Sequence, residues 1–204
     1  MVDFNSIHLS IGSHESRCDT DGNATVCAME LVAWMGDEPH SDTPTCVSPE
    51  IAAYVRILND AMSDSTRQRL KPYLPRMMNT EGDGKAQTRT FMLADAAVRT
   101  FAPIALDAAG LTGVADNLRN LPPITDAESA KSAAGSAWSV ESAAVWSARA
   151  AAAADSAESA SWSARSAWSA ESAESAAAAW SAAAADSARA WDAALETLNR
   201  ILPI

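Results

Sequence analysis

The sequence is short of several things at once. In 204 residues it has three cysteines, three histidines and two tyrosines. An odd and small number of cysteines builds no disulfide framework and suits a reducing compartment, with free thiols or a metal site. Cations are scarce too: 15 Lys and Arg against 26 Asp and Glu leave a net charge of −11. Such a surface cannot neutralise a nucleic-acid backbone or an anionic membrane, so a basic protein partner fits better than either. No run approaches the roughly 18 bulky apolar residues of a membrane span. The opening "MVDFNSIHLSIGSHES" lacks both the charged and the apolar regions of a secretion signal. These absences predict a cytoplasmic protein with no nucleic-acid and no membrane partner. Between Gly135 and Pro203 there is neither glycine nor proline, so nothing there interrupts a helix.

What is present divides near residue 125. Residues 1–125 hold most of the Leu, Ile, Met, Pro and Gly and all of the Cys and His, the side-chain variety of a packed core. Residues 126–204 are dominated by Ala and Ser with scattered Trp. The expected organisation is an N-terminal helical domain over 1–125 and an Ala/Ser/Trp-rich helical tail over 126–204.

Within the first part, "ATVCAMELVAWMG" sets Cys27, Leu31 and Trp34 on one helical face and closes on Gly36, a residue suited to the left-handed position after a helix. "DEPHSDTPTC" is too rich in Pro, Asp, Ser and Thr to be regular. "SPEIAAYVRILNDAM" has Ser48 as a cap, Pro49 in the first turn and an apolar stripe of Ile51, Tyr54, Val55, Leu58 and Met62. "SDSTRQRLKPYLPRMM" turns Leu70, Tyr73, Leu74 and Met77 inward and is broken by Pro72 and Pro75. From Gln87 to Ala109 a helical period places Phe91, Ala94, Val98, Ala102 and Ala105 on one face, with a bend due at Pro103 and a stop at Gly110. Leu111, Val114, Leu118 and Leu121 make one more short helix. No segment alternates as a strand, so the fold class is all-α.

Alanine is the best helix former in water, so the tail reads as a long helix or a helical hairpin. Its serines recur mainly every third residue and spiral around the axis. Its bulky residues do not: Trp162, Trp180, Trp191, Leu195, Leu198 and Leu202 fall within about 60° of one another at 3.6 residues per turn. That seam is suited to self-association or to a protein partner, the alternative being a solvated spacer.

Three constellations could carry chemistry. His14, Cys18, Cys27, His40 and Cys46 form a cluster of soft ligands in which "HESRC" and "HSDTPTC" each pair a His with a Cys, as the nitrogen and thiolate donors of a tetrahedral structural zinc site would require. Cys27 in the first turn of a helix could instead be a nucleophile, its thiol favoured by the macrodipole, with His40 as base and Asp42 or Glu38 to orient it. "DTDGNATVCAME" spaces Asp19, Asp21, Asn23 and Glu30 like calcium ligands, but Ala24 stands where the loop requires glycine, so calcium is the weaker expectation.

The blocks "GSHES", "CAMELVAWMGDEPHSDTPTC" and "RQRLKPYLPRM" resemble a group of uncharacterised actinobacterial and phage proteins. In these a Cys-x-Met-Glu helix is followed by a Gly-x-Glu-Pro-His-Ser-Asp loop, often with an Ala-rich tail. The resemblance covers roughly residues 11 to 125. It implies no activity, cofactor or partner. Its shared block includes His14, Cys27, Glu30, Glu38, His40, Asp42 and Cys46 but not Cys18, which makes Cys27 the better fourth metal ligand. The expectation is a non-enzymatic assembly or partner-binding protein with a structural metal site. A thiol- or metal-dependent hydrolase centred on Cys27 and His40 is the alternative.

Overall fold

A computed structural model describes residues 4, 6–18, 22–108, 110–133 and 187–203. Among them the regular structure is helical, the only strand-like pairings being two isolated bridges, Leu9 with Val26 and Cys18 with Ala24. The described residues are all-α, and no described helix is long and apolar enough to cross a membrane. The chain forms two units: Met1–Ala86 with Leu198–Ile204, and Gln87–Thr197. Neither unit begins or ends at residue 125, where the composition changes.

In the first unit, α1 spans Ala28–Met35. Only one of its residues, Glu30, is charged, and Ala28 through Ala33 are all buried. A helix apolar on nearly every side belongs inside a core, and this one carries its single carboxylate in with it. Gly36 does not adopt the expected left-handed conformation: its φ is −81°. Asp37 takes it instead, with φ 56°. The Asp37 N–H donates to the Trp34 carbonyl at 3.3 Å and the Glu38 N–H to that of Ala33 at 2.9 Å, so the helix closes as a Schellman motif one residue later than foreseen.

Helix α2, Pro49–Ala61, buries Ile51, Tyr54, Val55 and Leu58, and Met62 beyond it, as its stripe requires. Ser48 sits at the cap position, but its hydroxyl donates to Glu50 at 2.5 Å rather than capping the helix. The proline-containing segment breaks into α3 (Asp64–Arg67), a 3-10 turn (Gln68–Tyr73) and α4 (Leu74–Met77), with Leu70, Leu74 and Met77 inward and Tyr73 half-buried.

In the second unit, α5 (Ala86–Ala96, from its second residue) runs into a π-turn, Ala97–Phe101, and on into α6, Ala102–Ala108. Pro103 has no N–H to offer the preceding turn, and the chain absorbs the fault as one widened turn in which Ala102 N–H donates to the Ala97 carbonyl. Gly110, at φ 76°, ends the run, and α7 follows over Thr112–Arg119. The core is made of small residues: Ala94, Val98, Ala102, Ala105, Leu106, Ala115, Leu118, Ile124 and Ala133. Ala133 ends a described helical stretch, 127–133, so the first part of the compositional tail belongs to this core.

Helix α8, Ser187–Ile201, is the other described part of the tail. Trp191, Leu195, Leu198 and Leu202 are all buried, which is the face their spacing defines. Arg189 in its first turn donates to Asp107 at 2.5 Å. Trp162 and Trp180 lie outside the described residues.

Candidate functional site

Among the described residues of the first unit, Glu30 is the middle of a buried polar centre. The Glu30 side chain is 1% exposed and receives His14 through both backbone and ring: the His14 N–H donates to Oε1 at 2.5 Å, and His14 Nδ1 lies 2.7 Å from Oε2. The Cys27 N–H donates to Oε2 at 2.7 Å, while the Cys27 Sγ accepts from the Glu30 N–H at 3.4 Å. This is a reciprocal capping box with a thiol in the place usually taken by a hydroxyl. His40 completes the group, its Nε2 donating to the His14 carbonyl at 2.9 Å and standing 3.5 Å from Glu30 Oε1.

The electrostatics follow from the donors. Burial pushes the Glu30 carboxyl up, but the N–H groups of Cys27 and His14 and the His14 ring outweigh it and hold the group below its ordinary value. Glu30 is thus ionised at neutral pH and can only accept, so His14 Nδ1 carries a proton toward it. In the neutral ring that leaves the lone pair on His14 Nε2. His40 Nε2 likewise must donate to a carbonyl, and its buried Nδ1 has no hydrogen-bond partner among the described residues.

A second carboxylate orders the loop that carries His40. Glu38 accepts from the N–H groups of Thr45 at 2.6 Å and Cys46 at 2.8 Å, closing residues 38–46 into a ring. Burial raises the Glu38 carboxyl and these donors more than reverse it. Arg17 ties the two His-bearing loops together: its guanidinium donates to the Glu38 carbonyl at 2.7 Å and lies 5.3 Å over the Trp34 ring. Phe4 meets the same indole edge-on at 5.8 Å.

His14 and His40 are brought together as expected, but the partner they share is Glu30. Among the described residues no three of His, Cys, Asp and Glu stand where they could share one metal ion. His14, Cys27, His40 and Cys46 therefore do not make a tetrahedral donor set. Cys46 lies instead beside Gly36, where an added Cβ would be 3.5 Å from its Sγ, and burial followed by the Glu38 charge raises its thiol. The calcium pattern fares no better: Asp19 and Asp21 lie outside the described residues, and the Glu30 carboxylate is already taken by N–H donors.

Cys27 also departs from the nucleophile expectation. Burial, with the Glu30 charge adding to it, pushes the thiol up to about 12, against the lowering that a helix N-terminus alone would give. No hydrogen bond joins it to His40, and Asp42 is engaged through its carbonyl by Arg56 at 3.3 Å. Glu30 was named by the sequence reading only in the calcium pattern and the shared block, and its place at the centre of the site was not foreseen. Its signal was there: a lone acid in an otherwise apolar eight-residue helix must go inside with whatever donors can reach it.

No protein-family model, no curated protein and no solved structure matches this chain.

Proposed function

We propose that this is a non-enzymatic, cytoplasmic assembly or partner-binding protein. Its N-terminal unit is a scaffold locked by the Glu30 centre, and its Ala/Ser/Trp tail meets a second copy or another protein. The observation that carries the reading is the way Glu30 is spent: both its oxygens accept from the chain's own N–H groups and ring, closing loops rather than facing a substrate. On this reading the motif block has a structural meaning, since His14, Cys27, Glu30 and His40 are the residues that meet there. Three free thiols suit a reducing compartment. The hydrolase alternative has less behind it, because a thiol pushed up to about 12 is protonated at neutral pH. The ionised carboxylate supplies a cross-link between the two loops.

The tail's partner is tested on the full chain. Trp191 is already buried in the protein's own fold, so the test is placed on Trp162 and Trp180 of the same seam. Each aromatic side chain that enters an interface buries on the order of 150 to 250 Å². Sedimentation of the parent should show a concentration-dependent oligomer, and W162A/W180A should shift it to monomer. A parent that stays monomeric throughout overturns self-association.

A further inference from the structure

Arginines of the first unit are mostly spent on the chain's own carbonyls: Arg17 donates to that of Glu38, Arg56 to that of Asp42, and Arg67 to those of Asn59 and Met62. Arg200, in the last turn of α8, is not spent in this way. It is exposed and has no side-chain hydrogen bond or ion pair among the described residues. With Arg76, Asn199 and Leu202 it lines an open cavity of about 490 Å³, all four residues belonging to the first unit.

The wall opposite Arg200's charge is fixed in place. Arg76 Nε donates to the Pro203 carbonyl at 2.9 Å, Nη1 to Asn199 Oδ1 at 2.7 Å and Nη2 to the Asn199 carbonyl at 3.2 Å. These bonds satisfy carbonyls left open at the end of α8 and hold the guanidinium plane, yet each terminal nitrogen keeps one N–H to spare. Because Asn199 Oδ1 accepts from Arg76, the amide nitrogen is the end of that side chain still able to donate, and it has no partner among the described residues. The described residues around the cavity therefore offer two guanidinium groups, one amide donor and the buried aliphatic Leu202, with no carboxylate among them. In a chain of net charge −11 this is a local reversal of sign.

We propose that this cavity binds a carboxylate carried beside an aliphatic group, the chemistry shared by a leucine-like C-terminal residue of a polypeptide and a free branched-chain acid. Planar guanidinium forks match a carboxylate through paired hydrogen bonds, and Leu202 supplies an apolar contact that an inorganic anion cannot use. The site shares no residue with the Glu30 centre or with the Trp162 and Trp180 positions of the seam, so it adds a second recognition element to the protein.

The test is an NMR titration of the full chain with N-acetyl-leucine, N-acetyl-leucinamide, acetyl-Ala-Ala-Leu and inorganic phosphate. The acid should bind at least about tenfold more tightly than the amide, since only the acid makes charge-assisted hydrogen bonds. Arg200→Gln, at an exposed position that leaves the Arg76 bonds in place, should weaken the acid by about tenfold with an unchanged circular dichroism spectrum. Tighter binding of the tripeptide than of N-acetyl-leucine would place the ligand at the end of a polypeptide, and equal binding would make it a free acid. Acid and amide binding alike, phosphate binding more tightly than the acid, or an Arg200→Gln chain that binds the acid as the parent does would each overturn the site. None of these results depends on whether the tail variants change the oligomer.

Discussion

The two units solve the same problem with opposite means. Helices satisfy their own backbone groups, so the second unit is built mainly from small apolar residues packed face to face, with Arg89 and Asp95 as buried charged groups and Asp107 nearer the rim. Asp95 accepts from the Ile124 N–H and Arg99, each at 3.0 Å, and Asp107 accepts from Arg119 and Arg189. The first unit contains long irregular stretches, 7–18 and 36–47, whose backbone groups have no ladder to join. There Gln68, Asn59, Asp60, Glu30, Glu38 and Thr80 each supply a partner that the backbone lacks. The lesson is that one polar side chain in the first unit holds as much structure as one aliphatic side chain in the second.

Replacement of Glu30 presses hardest on that comparison. Glu30→Ala leaves the Cys27 and His14 N–H groups buried without acceptors and should cost about 3 to 5 kcal/mol. That would match or exceed Leu106→Ala in the second unit's core, at about 2 to 5 kcal/mol. Urea denaturation of both variants decides it. A Glu30→Ala loss under about 1 kcal/mol would mean that apolar packing, not the polar centre, holds the N-terminal loops.

Acid should separate the two sides next. The Glu30 carboxyl is depressed in the folded protein despite burial, by the donors of Cys27 and His14. A carboxyl depressed on folding contributes stability that is complete above its unfolded value, ordinarily 4.5, and lost as pH falls through the lower folded value. The Asp107 carboxyl, also lowered against burial by Arg119 and Arg189, has the same sign from 3.8 downward. Melting temperature should therefore be flat above about pH 5 and fall below it. Glu30→Gln should lower the plateau and flatten the acid slope more than Asp107→Asn does. Equal slopes for the two would assign the acid sensitivity elsewhere.

The smallest effect is expected at the end of α1. Asp37 holds a left-handed conformation that costs a non-glycine residue about 1 kcal/mol, and it is exposed. Asp37→Gly should raise stability by about that amount, read as a shift in the denaturation midpoint without change in its slope. A variant that is destabilised instead would show that the Asp37 side chain has a role in the loop below it.

Much of the fold was legible because it is periodic. The stripe of α2, the inward residues of the proline-broken segment and the Trp191–Leu202 face each follow from spacing, and each is buried as spacing requires except Tyr73, which is half-buried. The widened turn before Pro103 was half legible: a proline announces a fault in the ladder, but whether the chain bends or swells depends on how Val98 and Phe101 pack. The candidate site was legible in its members and not in its connections. His14 and His40 were named, yet counting soft ligands pointed to a metal, because spacing along a chain does not say which loops close over which helix. Trp34 shares a face with the buried Cys27 and Leu31, as its spacing sets it, yet it is half-exposed beneath Arg17 and Phe4, and the smaller Glu30 is inside.

The sequence by itself determined that this chain is helical, where most of its first-unit helices begin and end, and that its tail carries one bulky face. Those properties are local, set by propensity, period and the positions of Gly and Pro within a few residues. Only the tertiary structure decided that Glu30 would be the joint between the His14 and His40 loops, that the Cys27 thiol would be pushed up to about 12 instead of activated, and that residues 127–133 would join the core of α5 to α7. Each of these depends on burial, and the Glu30 joint also on donors brought from 10 or more residues away (His40 lies 10 from Glu30 along the chain); desolvation is a property of the packed surroundings that no single stretch of sequence contains.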